Sequence, residues 1–214
     1  MNPAEFSELL RNAEDRQFDL VYPDRIRQLS AVHWTPVQVA RRAASYLVDR
    51  PGTRVLDIGC GPGKFCIVGA LNTRGHFTGV EQRRRLCELG WEVIQRAGLS
   101  NAEIYHGNMT GMRFGDFDAF YLFNPFAEYL ELTGRIDDSI GRSDSHYDEF
   151  AEHVALQLEA APEGTRVATY CGVCEEIPPG YHCVETLVNG KLRFWQKSAT
   201  RTRASLAPNG SRTG

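Results

Sequence analysis

The sequence lacks any long apolar run and has no strong excess of charge of either sign. No stretch of about 18 apolar residues occurs in the 214-residue chain, so we expect no transmembrane helix. The 24 basic and 27 acidic residues leave a formal net charge of −3, which does not demand a nucleic-acid partner, although a local basic patch could still bind one. The N-terminus is acidic and mixed, unlike the basic-then-apolar start of a secretory signal.

The chain has six cysteines. Because a chain of this length can form a hydrophobic core without disulfides, they do not indicate a disulfide-stabilised protein. We therefore interpret the cysteines as reduced thiols and expect a cytoplasmic protein. Cys171 and Cys174 form a Cys-x-x-Cys pair that is followed by His182 and Cys183. The spacing is not that of a standard zinc site, so no metal site is predicted, and a redox pair is the alternative.

Short β-branched runs alternate with helical patterns along most of the chain. The patterns predict helices over 3–18, 36–48, 65–71, 86–97 and 147–158, and strands over 54–58, 75–80, 102–106, 118–123, 165–170, 181–188 and 191–197. Strands that alternate with helices are typical of a doubly wound α/β fold. We expect a mostly parallel seven-stranded sheet between two layers of helices, a three-layer sandwich.

Two local signals mark the ends of elements. Asn189-Gly190 joins the last two predicted strands, and this dipeptide favours a tight hairpin because both turn positions need positive φ. The sheet should therefore end in an antiparallel hairpin. Thr35 is a good N-cap for the helix over 36–48, with Pro36 at its first position and Gln38 completing a capping box.

A glycine-rich turn follows the first strand, in the segment Asp57-Ile58-Gly59-Cys60-Gly61-Pro62-Gly63. A phosphate-binding P-loop would need a glycine where Ile58 stands and a hydroxyl residue where Phe65 stands. A dinucleotide-binding fingerprint fits at Gly59 and Gly61, but Lys64 occupies the position of its last glycine. The P-loop is rejected, and dinucleotide binding stays as an alternative.

A third pattern, Gly-x-Gly-x-Gly after an acidic residue, resembles the first motif of the class I S-adenosylmethionine-dependent methyltransferases. The resemblance continues in the expected order over roughly residues 30–196. Glu81 ends the second strand, Asn108 follows the third, and Asn124-Pro125-Phe126 follows the fourth. The terminal hairpin matches the family's antiparallel last strand. The fold and cofactor of that family are therefore expected here.

The resemblance also implies roles for individual residues. Glu81 would accept the two ribose hydroxyls of S-adenosylmethionine, and Asn108 would lie beside the adenine amine. Thr35, within the segment His33-Trp34-Thr35-Pro36, would border the methionine end. The residues implied to cradle the methionine part are Asp57, Gly59, Gly61 and Gly63. Simpler interpretations remain open: Thr35 as an N-cap, Asp57 as an acceptor for loop amides, and Glu81 as a solvated strand end.

The segment Asn124-Pro125-Phe126 resembles the Asn-Pro-Pro-Tyr motif of amino-directed methyltransferases. That resemblance implies a catalytic role for Asn124, Pro125 and Phe126, with the Asn124 side-chain oxygen accepting a hydrogen bond from the target nitrogen while also bordering the cofactor. Phe126 replaces the second proline and Ala127 replaces the tyrosine, which puts a nucleobase or glutamine target in doubt. The alternative is that this segment only turns the chain and places Phe126 in the core. Candidate bases near the same rim are His33, His106, Glu128 and Glu131.

The sequence therefore predicts a methyltransferase that acts on a nitrogen or oxygen of a small molecule or a protein side chain. The alternatives are an RNA or other nucleic-acid methyltransferase and a non-catalytic S-adenosylmethionine-binding module. The expected division is an N-terminal helical extension over 1–30, a methyltransferase domain over 31–197 and a disordered tail over 198–214, the last from its Ser, Thr, Arg, Gly and Asn content.

Overall fold

A computed structural model of the chain describes residues 1–124, 136, 144–172 and 174–199. Within these residues the backbone forms a seven-stranded sheet with the order β3-β2-β1-β4-β5-β7-β6. The strands are β1 Arg54–Ile58, β2 His76–Glu81, β3 Ala102–His106, β4 Ala119–Phe123, β5 Arg166–Tyr170, β6 Tyr181–Leu187 and β7 Leu192–Lys197. Every predicted strand is confirmed, with bounds that differ by at most one residue.

Helices cover both faces of the sheet in the described part of the chain. They are α1 Pro3–Asn12, α2 Asp15–Phe18, α3 Asp24–His33, α4 Val37–Leu47, α5 Lys64–Asn72, α6 Arg84–Arg96 and α7 Asp144–Ala160. Short 3₁₀ turns occur at Asp19–Val21, Met109–Gly111 and Phe114–Asp116. None of the helices in these described segments is both long and apolar enough to cross a bilayer.

The sheet is mostly parallel, as the sequence predicts. Strand β1 pairs in parallel with β2 and β4, β2 with β3, and β4 with β5. Strand β7 runs antiparallel to both β5 and β6. The order reverses between β1 and β4, and ligands of doubly wound sheets bind beyond the carboxyl ends of the strands at such a reversal.

The terminal hairpin is confirmed, but its turn is longer than the sequence predicts. Leu187 and Leu192 are the last paired residues of β6 and β7, so four residues connect the strands. Val188, Asn189 and Gly190 have φ of 53°, 53° and 86°. Asn189 and Gly190 are residue types that tolerate positive φ, whereas positive φ at the β-branched Val188 is strained.

Two buried clusters lie on opposite faces of the sheet. One includes Val55, Phe77 and Tyr121 of the sheet, together with helices α4 and α5 and apolar residues of the first 22 positions. The other includes Leu56 and Phe120, covered by residues of α7. The residues of β4 are buried on both faces except at Phe123, which explains its nearly continuous apolar sequence.

The predicted helix over 3–18 is in fact two helices, α1 and α2, because the backbone is extended at Ala13, with φ of −70° and ψ of 145°. The Glu14 N–H donates to the Gln17 side chain at 3.2 Å, a local start signal that the helical pattern hides. Helix α3 was not predicted. Ser30 is its one buried residue, and Ile26 packs against the core while only partly buried, so few apolar positions of this helix face the core.

The prediction that Thr35 caps the following helix is wrong. Helix α4 begins at Val37, and no side chain of its N-cap residue bonds to it. The carboxylate of Asp15, from α2, accepts instead from the Val37 N–H at 2.8 Å. Gln38 donates to Glu14 at 2.8 Å rather than closing a capping box. A tertiary contact has replaced the local one, which leaves the Thr35 hydroxyl for another partner.

Candidate functional site

The glycine-rich turn lies where β1 ends, next to the reversal of the strand order. Gly59, Gly61 and Gly63 have φ of 74°, 55° and 75°, in the left-handed region that glycine adopts without strain. The N–H groups of Gly59 and Cys60 both donate to the Val80 carbonyl, at 3.0 and 3.1 Å. The turn is thus fastened to the end of β2, and the three glycines lie together at the carboxyl edge of the sheet.

Glu81 is joined directly to this turn. It ends β2 and its residue is only 6% exposed, so the interpretation as a solvated strand end is wrong. One carboxylate oxygen accepts from the Gly61 N–H at 3.1 Å, and the other accepts from the Arg83 N–H at 2.8 Å. The Arg83 guanidinium lies 3.6 Å from the carboxylate, which holds the acid in place in a buried setting.

Asp57 is the second buried acid beside the turn, at 3% exposure. The Cys66 thiol, one turn into α5, donates to its carboxylate at 3.5 Å. Burial raises the pKa of Asp57 to about 8, because the charged form loses its hydration. The Cys66 contact lowers this pKa, and the negative charge of Glu81 raises it further.

Lys64 follows the last glycine of the turn, but its side chain leads away from it. The ammonium contacts the carboxylate of Asp15 at 2.7 Å and that of Asp19 at 2.8 Å. It also lies 3.5 Å from the Ser30 hydroxyl and 5.6 Å from the centre of the Phe18 ring. These partners all belong to the N-terminal helices, so the ammonium is directed to them.

The same N-terminal helices cover the glycine turn. The buried Tyr22 hydroxyl donates to the Pro62 carbonyl at 3.0 Å. The Trp34 ring lies against Gly61, so closely that a Cβ on this glycine would come within 2.5 Å of it. The Trp34 indole N–H donates to the Ile26 carbonyl at 3.2 Å, which fixes the ring in that position.

Thr35 is buried and contacts β4. Its hydroxyl lies 2.8 Å from the hydroxyl of Tyr121, and the two form a hydrogen bond. The Tyr121 ring stacks on Phe65 at the start of α5, with ring centres 3.8 Å apart and planes 9° apart. In register, Tyr121 also pairs with Asp57 of β1. Thr35, Tyr121 and Asp57 therefore lie in one region beside the turn.

Asn108 follows β3, two strands from β1. Its side-chain oxygen accepts from both the N–H and the hydroxyl of Thr110, each at 3.0 Å. Asn108 thereby caps the 3₁₀ turn Met109–Gly111. Because the oxygen already has two donors, the N–H groups of this carboxamide are what it has left to offer a ligand.

Two of the candidate bases, His33 and His106, lie within the described residues. His33 ends α3 with its ring 5.9 Å from that of Trp34. His106 ends β3, the edge strand, and its Nε2 lies 3.1 Å from the Gln82 carbonyl. Three strand spacings separate β3 from β4, about 14 Å, so His106 lies well apart from the end of β4.

Asn124, directly after β4, has φ of 38°, a positive value that non-glycine residues rarely adopt. Strain of this kind is frequent at functional sites. The remaining acceptor-side predictions, for Pro125, Phe126, Glu128 and Glu131, lie outside the described residues.

Cys171 and Cys174 follow β5, and both also have positive φ, 58° and 67°. The thiol of Cys174 lies 3.3 Å from the Thr169 hydroxyl, and Arg193 donates to it at 3.6 Å. The six cysteines are unpaired. Across the described ranges, no three His, Cys, Asp or Glu side chains gather closely enough to share a metal ion.

The charges around the turn determine which ligand it can accept. Asp57 and Glu81 are buried beside it, and the two neighbouring cations are paired with acids, Arg83 with Glu81 and Lys64 with Asp15 and Asp19. Such a setting disfavours a phosphate or pyrophosphate, whereas a bound cation would favour the ionised form of Asp57. The arrangement suits a cationic ligand.

Sequence reasoning missed Lys64 and Tyr22 as parts of the site. The partners of Lys64 are 45 and 49 residues away along the chain, and no local pattern reports such a contact. One signal was available, because Lys64 begins the apolar run Phe65-Cys66-Ile67-Val68. A lysine on a buried helix requires a buried partner.

A family model described as a methyltransferase domain matches residues 49–178. Among curated proteins, a demethylmenaquinone methyltransferase of Listeria welshimeri is 36% identical over 102 residues, which are 46% of this chain and 43% of that protein. A 23S rRNA (uracil(1939)-C(5))-methyltransferase of Klebsiella pneumoniae is 44% identical over 73 residues, 34% of this chain and 16% of that one. The chain thus spans less than half the length of these curated relatives.

Solved structures resemble the fold as a whole. An RNA methyltransferase from Salinibacter ruber, crystallised with S-adenosyl-L-homocysteine, superposes with a TM-score of 0.58. The match covers 81% of this chain and 98% of that one at 15% identity. TrmN from Thermus thermophilus gives a TM-score of 0.53 over 76% of this chain and 49% of that one, at 16% identity. At such identities the likeness shows the fold alone.

Proposed function

This chain belongs to the methyltransferase domain family, and on that premise we propose that it transfers a methyl group from S-adenosylmethionine to a nitrogen or oxygen of a small molecule or a protein side chain. The resemblance to class I methyltransferases is confirmed by the family match and by the fold. The observation that carries the proposal is the pair of buried acids, Asp57 and Glu81, beside a glycine turn whose lysine is turned away.

The residues at the turn fit S-adenosylmethionine better than the other ligands of glycine-rich turns. S-adenosylmethionine carries a sulfonium and an ammonium, and two buried acids favour such charges. A dinucleotide or a nucleoside triphosphate brings phosphate charges, which need N–H groups or free cations. The loop N–H groups of Gly59, Cys60, Gly61 and Gly63 already have acceptors within the protein, and Lys64 is neutralised.

At the methionine end, Asp57 would accept hydrogen bonds from the ammonium, and the turn of Gly59, Gly61 and Gly63, whose path depends on their positive φ, would border the methionine part. A nearby positive charge favours the ionised form of a buried acid. Thr35 borders the same region, and its hydroxyl is joined to Tyr121. In this proposal Thr35 acts by shaping the pocket.

At the adenosine end, Glu81 would accept the two ribose hydroxyls. Its two oxygens accept the backbone N–H groups of Gly61 and Arg83, which hold the carboxylate at the end of β2 for that role. Asn108 would contact the adenine ring with its N–H groups, because its oxygen is taken by Thr110.

On the acceptor side, we propose Asn124, Pro125 and Phe126 as the residues that orient the methyl acceptor. A carboxamide can accept a hydrogen bond from an N–H group but cannot remove its proton. The acceptor nitrogen would therefore carry its own lone pair. A base is needed only for an acceptor that does not lose its proton readily.

S-adenosylmethionine, when bound, supplies a methyl group on a positively charged sulfur, which an in-line nucleophile can take. The task of the chain is alignment and exclusion of water. Trp34 and Tyr22 cover the turn from the N-terminal side, and Asp57 supplies the buried negative charge. None of these groups has to exchange a proton with the acceptor.

Calorimetric titration with S-adenosylmethionine tests the proposal. We expect the wild-type chain to bind one equivalent and the Glu81→Ala variant to bind at least tenfold more weakly, because the ribose loses its acceptor. Glu103→Ala is the matched control, since Glu103 is an exposed acid on the adjacent strand that bonds to Thr78. Equal binding by the wild type and both variants would refute the role of Glu81, and no binding by the wild type would refute the proposed function.

The acceptor class requires a separate experiment. Cell extract is incubated with the protein and with methyl-labelled S-adenosylmethionine, then divided into protein, RNA and small-molecule fractions. We expect label in the small-molecule or protein fraction. Label in RNA would favour the alternative of a nucleic-acid methyltransferase. Binding without any label in the three fractions would favour the non-catalytic module.

The division of the chain stays a proposal, with a methyltransferase domain over 31–197 and an N-terminal helical extension over 1–30. The predicted tail over 198–214 lies, from residue 200 onward, outside the described residues. Phe6, Leu10 and Phe18 of the extension belong to the same buried cluster as the sheet, which supports an extension that packs on the domain. A cytoplasmic location is likewise proposed, from the cysteine usage, and fractionation of cells would test it.

A further inference from the structure

Lys64 is buried although its charge and its position both oppose burial. It is the first residue of α5, where the helix dipole disfavours a cation, and it is 2% exposed. A buried ammonium is tolerated only with charged partners. The partners, Asp15 and Asp19, come from the N-terminal helices at 2.7 and 2.8 Å.

The two acids hold more than the ammonium. The same oxygen of Asp15 that contacts Lys64 also accepts from the Val37 N–H at 2.8 Å, so Asp15 joins the starts of α4 and α5. Asp19 is 8% exposed and begins the 3₁₀ turn that leads to Tyr22. The ion pairs therefore fix residues 15–22 against the first turn of α5.

The segment fixed in this way continues to the cover of the glycine turn. Tyr22 donates to the carbonyl of Pro62, and Trp34 packs its ring on Gly61. Residues 15–34 thus contact the turn at two successive residues. We call this segment the cover.

The cover lies outside the region that the family model matches, which begins at residue 49. Lys64 lies inside that region. The ion pairs therefore connect a family-matched loop to a segment that the family match does not include.

We propose that Lys64 is a positioning residue that, through Asp15 and Asp19, holds the cover and so places the Trp34 ring as a wall of the cofactor site. This inference rests on the proposed function for the nature of the ligand. Lys64 itself touches no ligand, because its ammonium is enclosed by Asp15, Asp19 and Ser30. It acts on binding by fixing Trp34.

The test uses Lys64→Met, which keeps the length of the side chain and removes its charge, together with Asp19→Asn and the double variant. Trp91→Phe and Trp195→Phe are introduced in all proteins, so that Trp34 is the one remaining tryptophan of the three in the sequence. Three quantities are measured: the emission of Trp34 without ligand, the free energy of unfolding, and the Kd and dissociation rate of S-adenosylmethionine.

We expect Lys64→Met to shift the Trp34 emission of the folded protein to longer wavelength, because the cover loosens and water reaches the indole. The Kd should rise at least tenfold, mainly through faster dissociation. Asp19→Asn should have a similar but smaller effect. The double variant should bind no more weakly than Lys64→Met, since residues that act through one contact are not additive.

A matched control is Asp118→Asn. Asp118 pairs with Arg54 at 3.2 Å at the opposite, amino end of β1. We expect this variant to lose some stability at most and to keep both the Trp34 emission and the Kd of the wild type.

A purely structural role for Lys64 predicts a different result. The free energy of unfolding would fall, while the folded Lys64→Met protein would keep the wild-type Trp34 emission and a Kd within twofold; that result overturns the inference. If the wild type binds no S-adenosylmethionine, the proposed function fails, but the emission of Trp34 still decides whether Lys64 positions the cover.

Discussion

Asp57 is the residue whose chemistry is most altered by the fold. Its carboxylate is buried without a cation within contact distance in the described part of the chain, and its pKa is raised to about 8, first by burial. In an unfolded chain the pKa of an aspartate is about 3.9. The folded state therefore holds this proton more tightly than the unfolded state does.

This difference predicts a pH dependence of stability. A raised pKa in the folded state contributes stability at low pH, and that contribution is lost as the pH rises from about 4 to about 8. One proton corresponds to a slope of about 1.4 kcal/mol per pH unit. We expect denaturant titrations of the protein without ligand to show the free energy of unfolding falling over this range, relative to Asp57→Asn. Parallel curves for the two proteins would show that Asp57 is ionised in the fold.

Asp57 should also couple ligand binding to the release of a proton. A cation bound beside Asp57 favours the ionised carboxylate, so binding at pH 7 should release a proton. Calorimetric titrations in two buffers with different ionisation enthalpies would detect it as a difference in apparent heat. The difference should disappear in Asp57→Asn, if that variant binds. A wild-type protein with identical heats in both buffers would contradict the linkage.

At the scale of elements, helix α5 packs on β2 through a glycine. A Cβ at Gly69 would lie 2.4 Å from a ring atom of Phe77, and Phe77 is buried. A methyl group gains up to about 1 kcal/mol in helix propensity, but overpacking typically costs about 1–3 kcal/mol. We expect Gly69→Ala to lower the free energy of unfolding by about 1 kcal/mol.

Gly115→Ala is the control for that substitution. Gly115 lies in a 3₁₀ turn, and a Cβ there would meet no atom within 4 Å. Its effect should stay within about 0.5 kcal/mol. Denaturant titration measures both variants. If Gly69→Ala changes the free energy of unfolding as little as Gly115→Ala does, α5 can move away from β2, contrary to the packing described.

The elements differ in how far the sequence predicts them. The strands could be located because their residues are buried within the sheet. The apolar pattern and the β-branched residues of the sequence therefore indicate each strand directly. The helix over 3–18 and the N-cap at Thr35 were wrong for different reasons. The break after α1 carries a local signal, the Glu14 N–H donating to Gln17, which the continuous helical pattern hides. At α4 the Asp15 carboxylate accepts from the Val37 N–H, a tertiary contact that a local pattern does not contain.

At the scale of the whole molecule, the glycine turn and Glu81 could be located from sequence because motif and strand end coincide there. Of the cover, the resemblance indicates Trp34 alone; the rest could not be located, because its contacts with Pro62 and Lys64 join segments far apart in the chain. The site is thus formed by two parts of the chain, one matched by the family and one outside the match.

The most direct test of this account is a crystal structure of the protein with S-adenosyl-L-homocysteine. We predict that the ribose hydroxyls bond to the Glu81 carboxylate, that the amino-acid end lies at the glycine turn beside Asp57, and that Trp34 borders the ligand. Density for the ligand at another surface, or a turn that instead binds the phosphates of an added nucleotide, would contradict the account.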